Sequence, residues 1–175
     1  WDSMAIAFTV SKCTLPVYDS ICFRLTSELG IYYVTAQPVW QQGANPYVEL
    51  AKYAKSVLCV RDTQEVAVEP NPFDLSESGA LVINSVTYTN VAMPHGVVPP
   101  GGTTPQNMTN AQFQAQAIDA AAVIKTWPRP LLVHCSTGDR ASAVFACFMI
   151  AYCGYDNKTA LAFATGQLAL QNEGF

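Results

Sequence analysis

Residues 134–140 read HCSTGDR, a segment whose residue types can bind and attack an oxyanion. A cysteine thiolate is a strong nucleophile, and the guanidinium of Arg140 is a planar, permanently charged fork that suits phosphate oxygens. Gly138 permits the backbone angles at which consecutive N–H groups converge on an anion. The residue types and their spacing therefore predict an oxyanion-binding loop with Cys135 at its base.

Two elements must position this loop. The apolar run Leu131–Val133 is typical of a buried strand, and the alanine-rich pattern of residues 141–153 is typical of a buried helix. Cys135 then follows the carboxyl end of a strand, and the loop N–H groups lie at a helix N-terminus, where anions bind and thiolates are stabilised. His134 is expected to orient the loop or to support the thiolate electrostatically.

A cysteine that ends an apolar run is most often a small buried hydrophobic residue. Anion binding by the loop and catalysis by Cys135 are therefore separate hypotheses. Asp139 bears on both, because a carboxylate beside an anion site opposes the binding of a phosphate dianion.

The segment around Cys135 resembles the beta-lactamase-hydrolase-like phosphatases, a bacterial and organellar branch of the protein tyrosine/dual-specificity phosphatase superfamily. The resemblance covers about residues 31–153 and includes strands, a Gln-Pro turn and the helix before the cysteine strand. The further segments that carry it are Ile31–Pro38, Val57–Asp62, Thr87–Pro94 and Thr109–Trp127. Four residues separate Cys135 from Arg140, where typical tyrosine phosphatases have five. This shorter spacing is compatible with the beta-lactamase-hydrolase-like branch and also with rhodaneses.

The resemblance implies a cysteine-dependent phosphatase, in which the Cys135 thiolate attacks phosphorus while Arg140 and the loop amides hold the phosphate oxygens. Ser142 matches the family's hydroxyl position and is expected to hydrogen-bond the thiolate, although a serine in the first turn of a helix is also an ordinary capping residue. The residues expected to bind substrate are Ser136, Thr137, Gly138, Asp139, Arg140 and Ser142.

Such a mechanism also needs an acid that protonates the leaving oxygen. Asp62 ends the second predicted strand, at the sheet edge that carries Cys135, and is the candidate for this role. Glu65 follows it, and His95 follows the third predicted strand at the same edge, so both remain open as alternatives.

The composition indicates protein partners. Charged residues make up 13% of the chain, against about 25% in ordinary soluble domains. A surface so poor in charge predicts apolar patches covered by neighbours in a larger assembly. The net charge of −4 argues against a nucleic-acid partner, and no apolar run is long enough for a transmembrane helix. The expected small partner is a phosphorylated substrate or another oxyanion.

The six cysteines form no zinc-type spacing, so no metal and no cofactor are expected. Cys13 and Cys22 flank a turn that contains a proline. A disulfide between them and two reduced thiols both remain open, with a reducing compartment as the default. The chain starts at Trp1 rather than Met, which fits a removed targeting segment and leaves plastid, mitochondrion and cytoplasm open.

The alternation of apolar runs and helical patterns predicts an α/β fold, with a mostly parallel sheet of four or five strands flanked by helices. Residues 1–30 are expected to form an irregular or helical N-terminal extension, and residues 31–175 a single phosphatase-like domain. Strands are expected near 31–36, 57–62, 87–93 and 130–135, and helices near 46–55, 74–85, 109–126, 140–153 and 157–170. Asp74 and Thr109 are expected to begin helices, Gly154 to end one, and residues 94–105 to form a surface loop.

Three functions remain open at this point. The first is a cysteine-dependent phosphatase, and the second is a non-catalytic subunit that keeps the fold within a large, organellar membrane assembly. The third is a rhodanese-like sulfurtransferase with a Cys135 persulfide. The helical pattern of residues 158–170 argues against the third, because rhodaneses return to a strand there.

Overall fold

The computed structural model describes residues 4–13, 21–37, 46–61, 77–93, 110–135 and 137–170. Its six strands are β1 (Thr9–Lys12), β2 (Cys22–Ser27), β3 (Gly30–Thr35), β4 (Ser56–Cys59), β5 (Thr87–Asn90) and β6 (Leu131–His134). Its helices are α1 (Pro46–Leu50), α2 (Glu77–Ile83), α3 (Asn110–Thr126), α4 (Asp139–Tyr152) and α5 (Asn157–Gln167).

The described strands form one mixed sheet in the order β1-β2-β3-β6-β4-β5. Strands β3, β6, β4 and β5 pair in parallel, which confirms the parallel part of the predicted sheet. Strands β1 and β2 pair antiparallel, so the sheet has six strands rather than four or five. The carboxyl ends of the four parallel strands meet at one edge, the edge at which ligands bind in such sheets.

The expected irregular or helical lead-in is wrong, because β1 and β2 lie in this part of the chain and pair with each other in the sheet. In β2, the buried residues Phe23 and Leu25 alternate with the less buried Arg24 and Thr26. This period of two is the pattern of a strand with one core-facing side. Strand β1 lies at the edge of the sheet and is mostly exposed, so it carries almost no apolar pattern.

Helices cover both faces of the sheet. Alternate residues of β6 face opposite sides, so that Val133 lies in one apolar cluster and Leu132 in another. Helices α3, α4 and α5 supply the first cluster, whereas α1 and α2 supply the second. Burial on both faces explains why β4 and β6 read as continuous apolar runs rather than as alternating ones.

Several elements end earlier than the sequence predicts. Strand β4 ends at Cys59 and β5 at Asn90, and the Asn90 Nδ2 atom donates to the carbonyls of Cys59 and Arg61, which ties the two strand ends together. Helix α5 ends at Gln167, after which Leu168 is extended. Gly154 has a φ of +82°, which confirms the predicted end of α4. The expected caps Asp74 and Thr109 and the loop of residues 94–105 lie outside the described residues.

All six cysteines are thiols in the structure. No helix in the described ranges is both long enough and apolar enough to cross a bilayer.

The cap of α5 makes stability depend on pH. The Asp156 carboxylate accepts a hydrogen bond from the Thr159 N–H at 2.7 Å, and this bond lowers the pKa of Asp156 from its ordinary 3.8. A lowered folded-state pKa stabilises the protein in full above pH 3.8, and this stabilisation is lost as pH falls through the folded-state pKa. Asp156→Ala should therefore lower the melting temperature near neutral pH, by an amount that shrinks well below pH 3.8. Thermal unfolding at both pH values measures this, and Asp156→Asn, whose amide oxygen caps at either pH, is the control. A deficit in Asp156→Ala that does not change with pH would contradict it.

Candidate active site

Cys135 lies where the sequence predicts it. It follows β6 directly, is fully buried, and belongs to the apolar cluster between the sheet and α4. Arg140 is the second residue of α4 and is also buried. The chain thus passes from a central strand through a short loop into a helix, with the thiol before the loop and the guanidinium after it.

The loop directs a backbone N–H group at the thiol. The N–H of Gly138 donates to the Cys135 Sγ atom at 3.1 Å. Gly138 precedes the first turn of α4 and has a φ of +91°, a conformation that residues with a Cβ rarely adopt. An N–H dipole at a helix N-terminus stabilises negative charge on an atom in front of it. The loop therefore directs the N–H dipole of Gly138 at the sulfur atom.

Gly138 is also held in a tight space. A Cβ atom built on Gly138 would lie 2.9 Å from Ile21 Cγ2 and 3.3 Å from Ala169 Cβ. Ile21 directly precedes β2, and Ala169 follows α5, so the loop is packed between two distant parts of the chain. Both the backbone angle and the close approach require glycine here.

Arg140 is anchored by a carbonyl group. Its Nη1 atom donates to the Met93 carbonyl oxygen at 2.7 Å, which joins α4 to the chain that follows β5. A guanidinium presents its donors in a rigid plane, so this bond fixes the orientation of the whole fork. Its position in the first turn of α4 brings it to the same edge of the sheet as Cys135.

Ser142 does not make the hydrogen bond that the sequence predicts. A hydroxyl has one proton, and the Ser142 hydroxyl donates it to the Gly138 carbonyl at 2.7 Å rather than to the thiol. The reason is helical geometry, because a serine side chain points back toward the carbonyl four residues earlier. The Ser142 oxygen in turn accepts the N–H of Ala169 at 3.0 Å.

His134 faces the side of the sheet opposite to Cys135. It is fully buried, and its ring centroid lies 6.5 Å from that of Tyr47, in the cluster formed by α1 and α2. Its Nδ1 atom lies 3.3 Å from the Cys135 carbonyl oxygen. This contact suits the predicted role of orienting the loop backbone.

Of the remaining predicted site residues, the structure describes Asp139 and Thr137. Asp139 is the first residue of α4 and is half-buried, where a carboxylate is stabilised by the helix dipole. Thr137 is exposed. Ser136 and the three acid candidates Asp62, Glu65 and His95 lie outside the described residues, so their roles remain predictions. No group of side chains suited to hold a metal ion occurs among the described residues.

Arg61, which the sequence pattern did not mark as a site residue, is nearly fully buried at the edge that carries Cys135. Its Nε atom donates to the Cys59 Sγ atom at 3.3 Å, and its carbonyl oxygen accepts from the Asn90 side chain at 3.0 Å. The available signal was an arginine directly after an apolar run, a position that places a cation at the carboxyl end of a strand. Met93 and Ala169 were also missed, because both act through backbone atoms.

A thiol after a central parallel strand, a glycine N–H that faces it and an arginine in the first turn of the next helix together indicate a phosphatase-like α/β fold. Solved structures agree with this class. One is described as Tk-PTP in the active form, with 14% identity, a TM-score of 0.54, and coverage of 81% of this chain and 84% of the other. Another is kinase associated phosphatase with its catalytic-site cysteine changed to serine, with 14% identity, a TM-score of 0.59, and coverage of 81% and 79%.

The chain therefore has the fold of the protein tyrosine/dual-specificity phosphatases. No model of a protein family matches the sequence, and no curated protein matches it either.

Gly138→Ala tests the loop geometry. The substitution places a Cβ at a φ of +91° and within 2.9 Å of Ile21, so we expect a loss of about 1–3 kcal/mol in the free energy of unfolding and weaker binding of tungstate. Gly166→Ala is the matched control, because no atom lies within 4 Å of its Cβ position. Denaturant unfolding and tungstate titration measure the two effects. Equal stability and affinity in the two variants would show that the loop does not need this conformation.

Proposed function

We propose that the protein is a cysteine-dependent phosphatase that hydrolyses a phosphomonoester. The observation that carries the proposal is the 3.1 Å hydrogen bond from the Gly138 N–H to the Cys135 Sγ atom, at the N-terminus of a helix whose first turn holds Arg140. The phosphatase fold supports it. The spacing of four residues between Cys135 and Arg140 is compatible with the beta-lactamase-hydrolase-like branch of that fold.

The reaction proceeds in two displacements. The Cys135 thiolate attacks phosphorus, a phosphorus–sulfur bond forms, and the bond to the leaving oxygen breaks. That oxygen takes a proton from the general acid, for which Asp62 is the proposed residue. Water then gives a proton to the Asp62 carboxylate and attacks phosphorus, the phosphorus–sulfur bond breaks, and phosphate and the Cys135 thiolate are released. The loop N–H groups and Arg140 stabilise the charge on the equatorial oxygens in both steps.

A second candidate function is a non-catalytic subunit of a larger assembly. Large apolar side chains are exposed on three parts of the structure: Met4 on the N-terminal segment, Val82 and Ile83 on α2, and Ile118 on α3. Contacts with neighbouring proteins would cover such side chains, in a chain of which only 13% of the residues are charged. In that role the loop would serve only to bind an anion or to maintain the fold.

Cys135→Ser separates the two functions. Because a neutral hydroxyl is a far poorer nucleophile than a thiolate, release of phosphate from an aryl phosphate should fall by a factor on the order of 10³ or more. Cys147→Ser is the control, since Cys147 lies on α4 away from the loop and burial raises the pKa of its thiol. Turnover and capture of a phosphocysteine on rapid quenching measure the effect. Equal turnover in both variants would overturn the mechanism. A wild-type protein without phosphatase activity would reject the first function and favour the role as a non-catalytic subunit.

Asp139→Asn tests the electrostatics of the site. Removing a negative charge beside the loop should tighten the binding of tungstate by about three- to tenfold. Asp156→Asn makes the same change in net charge at the far end of α4, about 20 Å away by the length of a 14-residue helix. Calorimetric titration of both variants gives the comparison. If they bind equally, Asp139 has no direct influence on the anion.

A further inference from the structure

Ser142 joins the oxyanion loop to a segment far away in the sequence. Its hydroxyl donates to the Gly138 carbonyl oxygen at 2.7 Å and accepts the Ala169 N–H at 3.0 Å, across 27 residues. Gly138 in turn donates its own N–H to Cys135 Sγ. Hydrogen-bonded groups therefore connect the chain after α5 with the thiol, through a side chain that is fully buried.

We propose that Ser142 is a positioning residue, which couples the segment Leu168–Leu170 to Gly138 and thereby fixes the N–H group that faces Cys135. The proposal deepens the phosphatase function, since it concerns how the same loop is held. It differs from the role first expected of Ser142, because the hydroxyl acts on the backbone of the loop and not on the thiolate.

The segment Leu168–Leu170 is itself firmly held. Leu168 and Leu170 are buried in the same cluster as Cys135, and the N–H groups of both donate to the Ala164 carbonyl oxygen at 3.2 Å. Between them, the Ala169 N–H points to Ser142, and the Ala169 Cβ lies 3.3 Å from the Cβ position of Gly138. The segment thus contacts the loop both by a hydrogen bond and by packing.

Gly138 needs such support because glycine has access to more backbone conformations than any other residue. Its carbonyl oxygen accepts two hydrogen bonds from Ser142, one from the backbone N–H at 2.9 Å and one from the hydroxyl. A hydroxyl that accepts one hydrogen bond donates a stronger one, so the Ala169 contact reinforces the bond to Gly138. Loss of the hydroxyl would release one restraint on the glycine and leave the Ala169 N–H without its acceptor.

Ser142→Thr and Ser142→Val form the matched pair that tests this. Both add a methyl group to the same buried site, but only threonine keeps a hydroxyl, which in a helix can bond the carbonyl four residues earlier. We expect Ser142→Val to bind tungstate about tenfold more weakly than Ser142→Thr, the loss of about one hydrogen bond. In turnover, the same ratio should appear in kcat/KM. A merely structural role would lower the melting temperature of the valine variant without changing the affinity of the folded protein.

A spectroscopic readout makes the test independent of phosphatase activity. Selective ¹⁵N-glycine labelling gives at most ten backbone amide signals, one for each glycine. The Gly138 signal should shift in Ser142→Val and stay near its wild-type position in Ser142→Thr. Ala169→Pro removes the N–H donor and places a ring carbon where the hydrogen was, so it must displace the Ser142 hydroxyl and should also shift the Gly138 signal; Leu168 before it is extended rather than helical, as a residue before proline requires.

The outcomes are distinct. A shift of the Gly138 signal in Ser142→Val and Ala169→Pro, in a protein that binds no tungstate and shows no turnover, would support the coupling and reject the proposed function. An unchanged Gly138 signal and equal tungstate affinity across the threonine and valine variants would overturn the coupling, even in an active enzyme. If Ala169→Pro does not fold, the threonine and valine pair alone decides.

Discussion

The hydrogen bond from the Gly138 N–H to the Cys135 thiol is the interaction on which the site depends. It requires a positive φ at Gly138, and that angle is possible only for a residue without a Cβ in the narrow space between Ile21 and Ala169. Every neighbouring element then has a defined task. Strand β6 delivers the thiol, α4 provides the N–H groups at its N-terminus, and the segments before β2 and after α5 close the space around the glycine. Packing thus holds the loop in one conformation before any ligand is bound, which is the kind of preorganisation that the proposed function needs.

Two guanidinium groups, those of Arg61 and Arg140, are buried near the loop. Burial of Arg61 and Arg140 costs free energy, which hydrogen bonds to polar groups such as Cys59 Sγ and the Met93 carbonyl offset in part. An anion at this edge would offset the cost of burial further. Because few other residues of the chain are charged, the positive potential of the two arginines would be a large part of the protein's field there. Asp139 opposes this attraction, but it also stabilises the N-terminus of α4, where its position in the first turn favours a carboxylate. In the proposed site, the same residue would stabilise the helix that presents the loop and repel the anion that the loop binds.

The sequence predicted the parts of this arrangement that are local. Cys135, Gly138 and Arg140 lie within six residues, and the apolar run and alanine-rich pattern that flank them identify the strand and the helix. The antiparallel pair of β1 and β2 was missed, because β1 is a mostly exposed edge strand and the apolar residues of β2 are interrupted by Arg24. The bond from Ser142 to Gly138 follows from a spacing of four residues in a helix, so it was open to prediction. The contact of Ser142 with Ala169 could not be predicted, because almost every residue has a backbone N–H and the contact depends on where α5 ends.

Tertiary contacts from outside the motif select the conformation of the loop. A cysteine, a glycine and an arginine at suitable spacing supply the chemistry, but a glycine loop of this length has many conformations and only some of them direct an N–H at the sulfur. The free energy that selects one of them comes from outside the motif: from Ile21, from the Met93 carbonyl that holds Arg140, and from Ala169 through Ser142. Two chains with the same motif and different flanking segments would therefore differ in oxyanion affinity. The fold brings these three contacts to one edge of the sheet, where they hold the short loop in the conformation that the proposed oxyanion site requires.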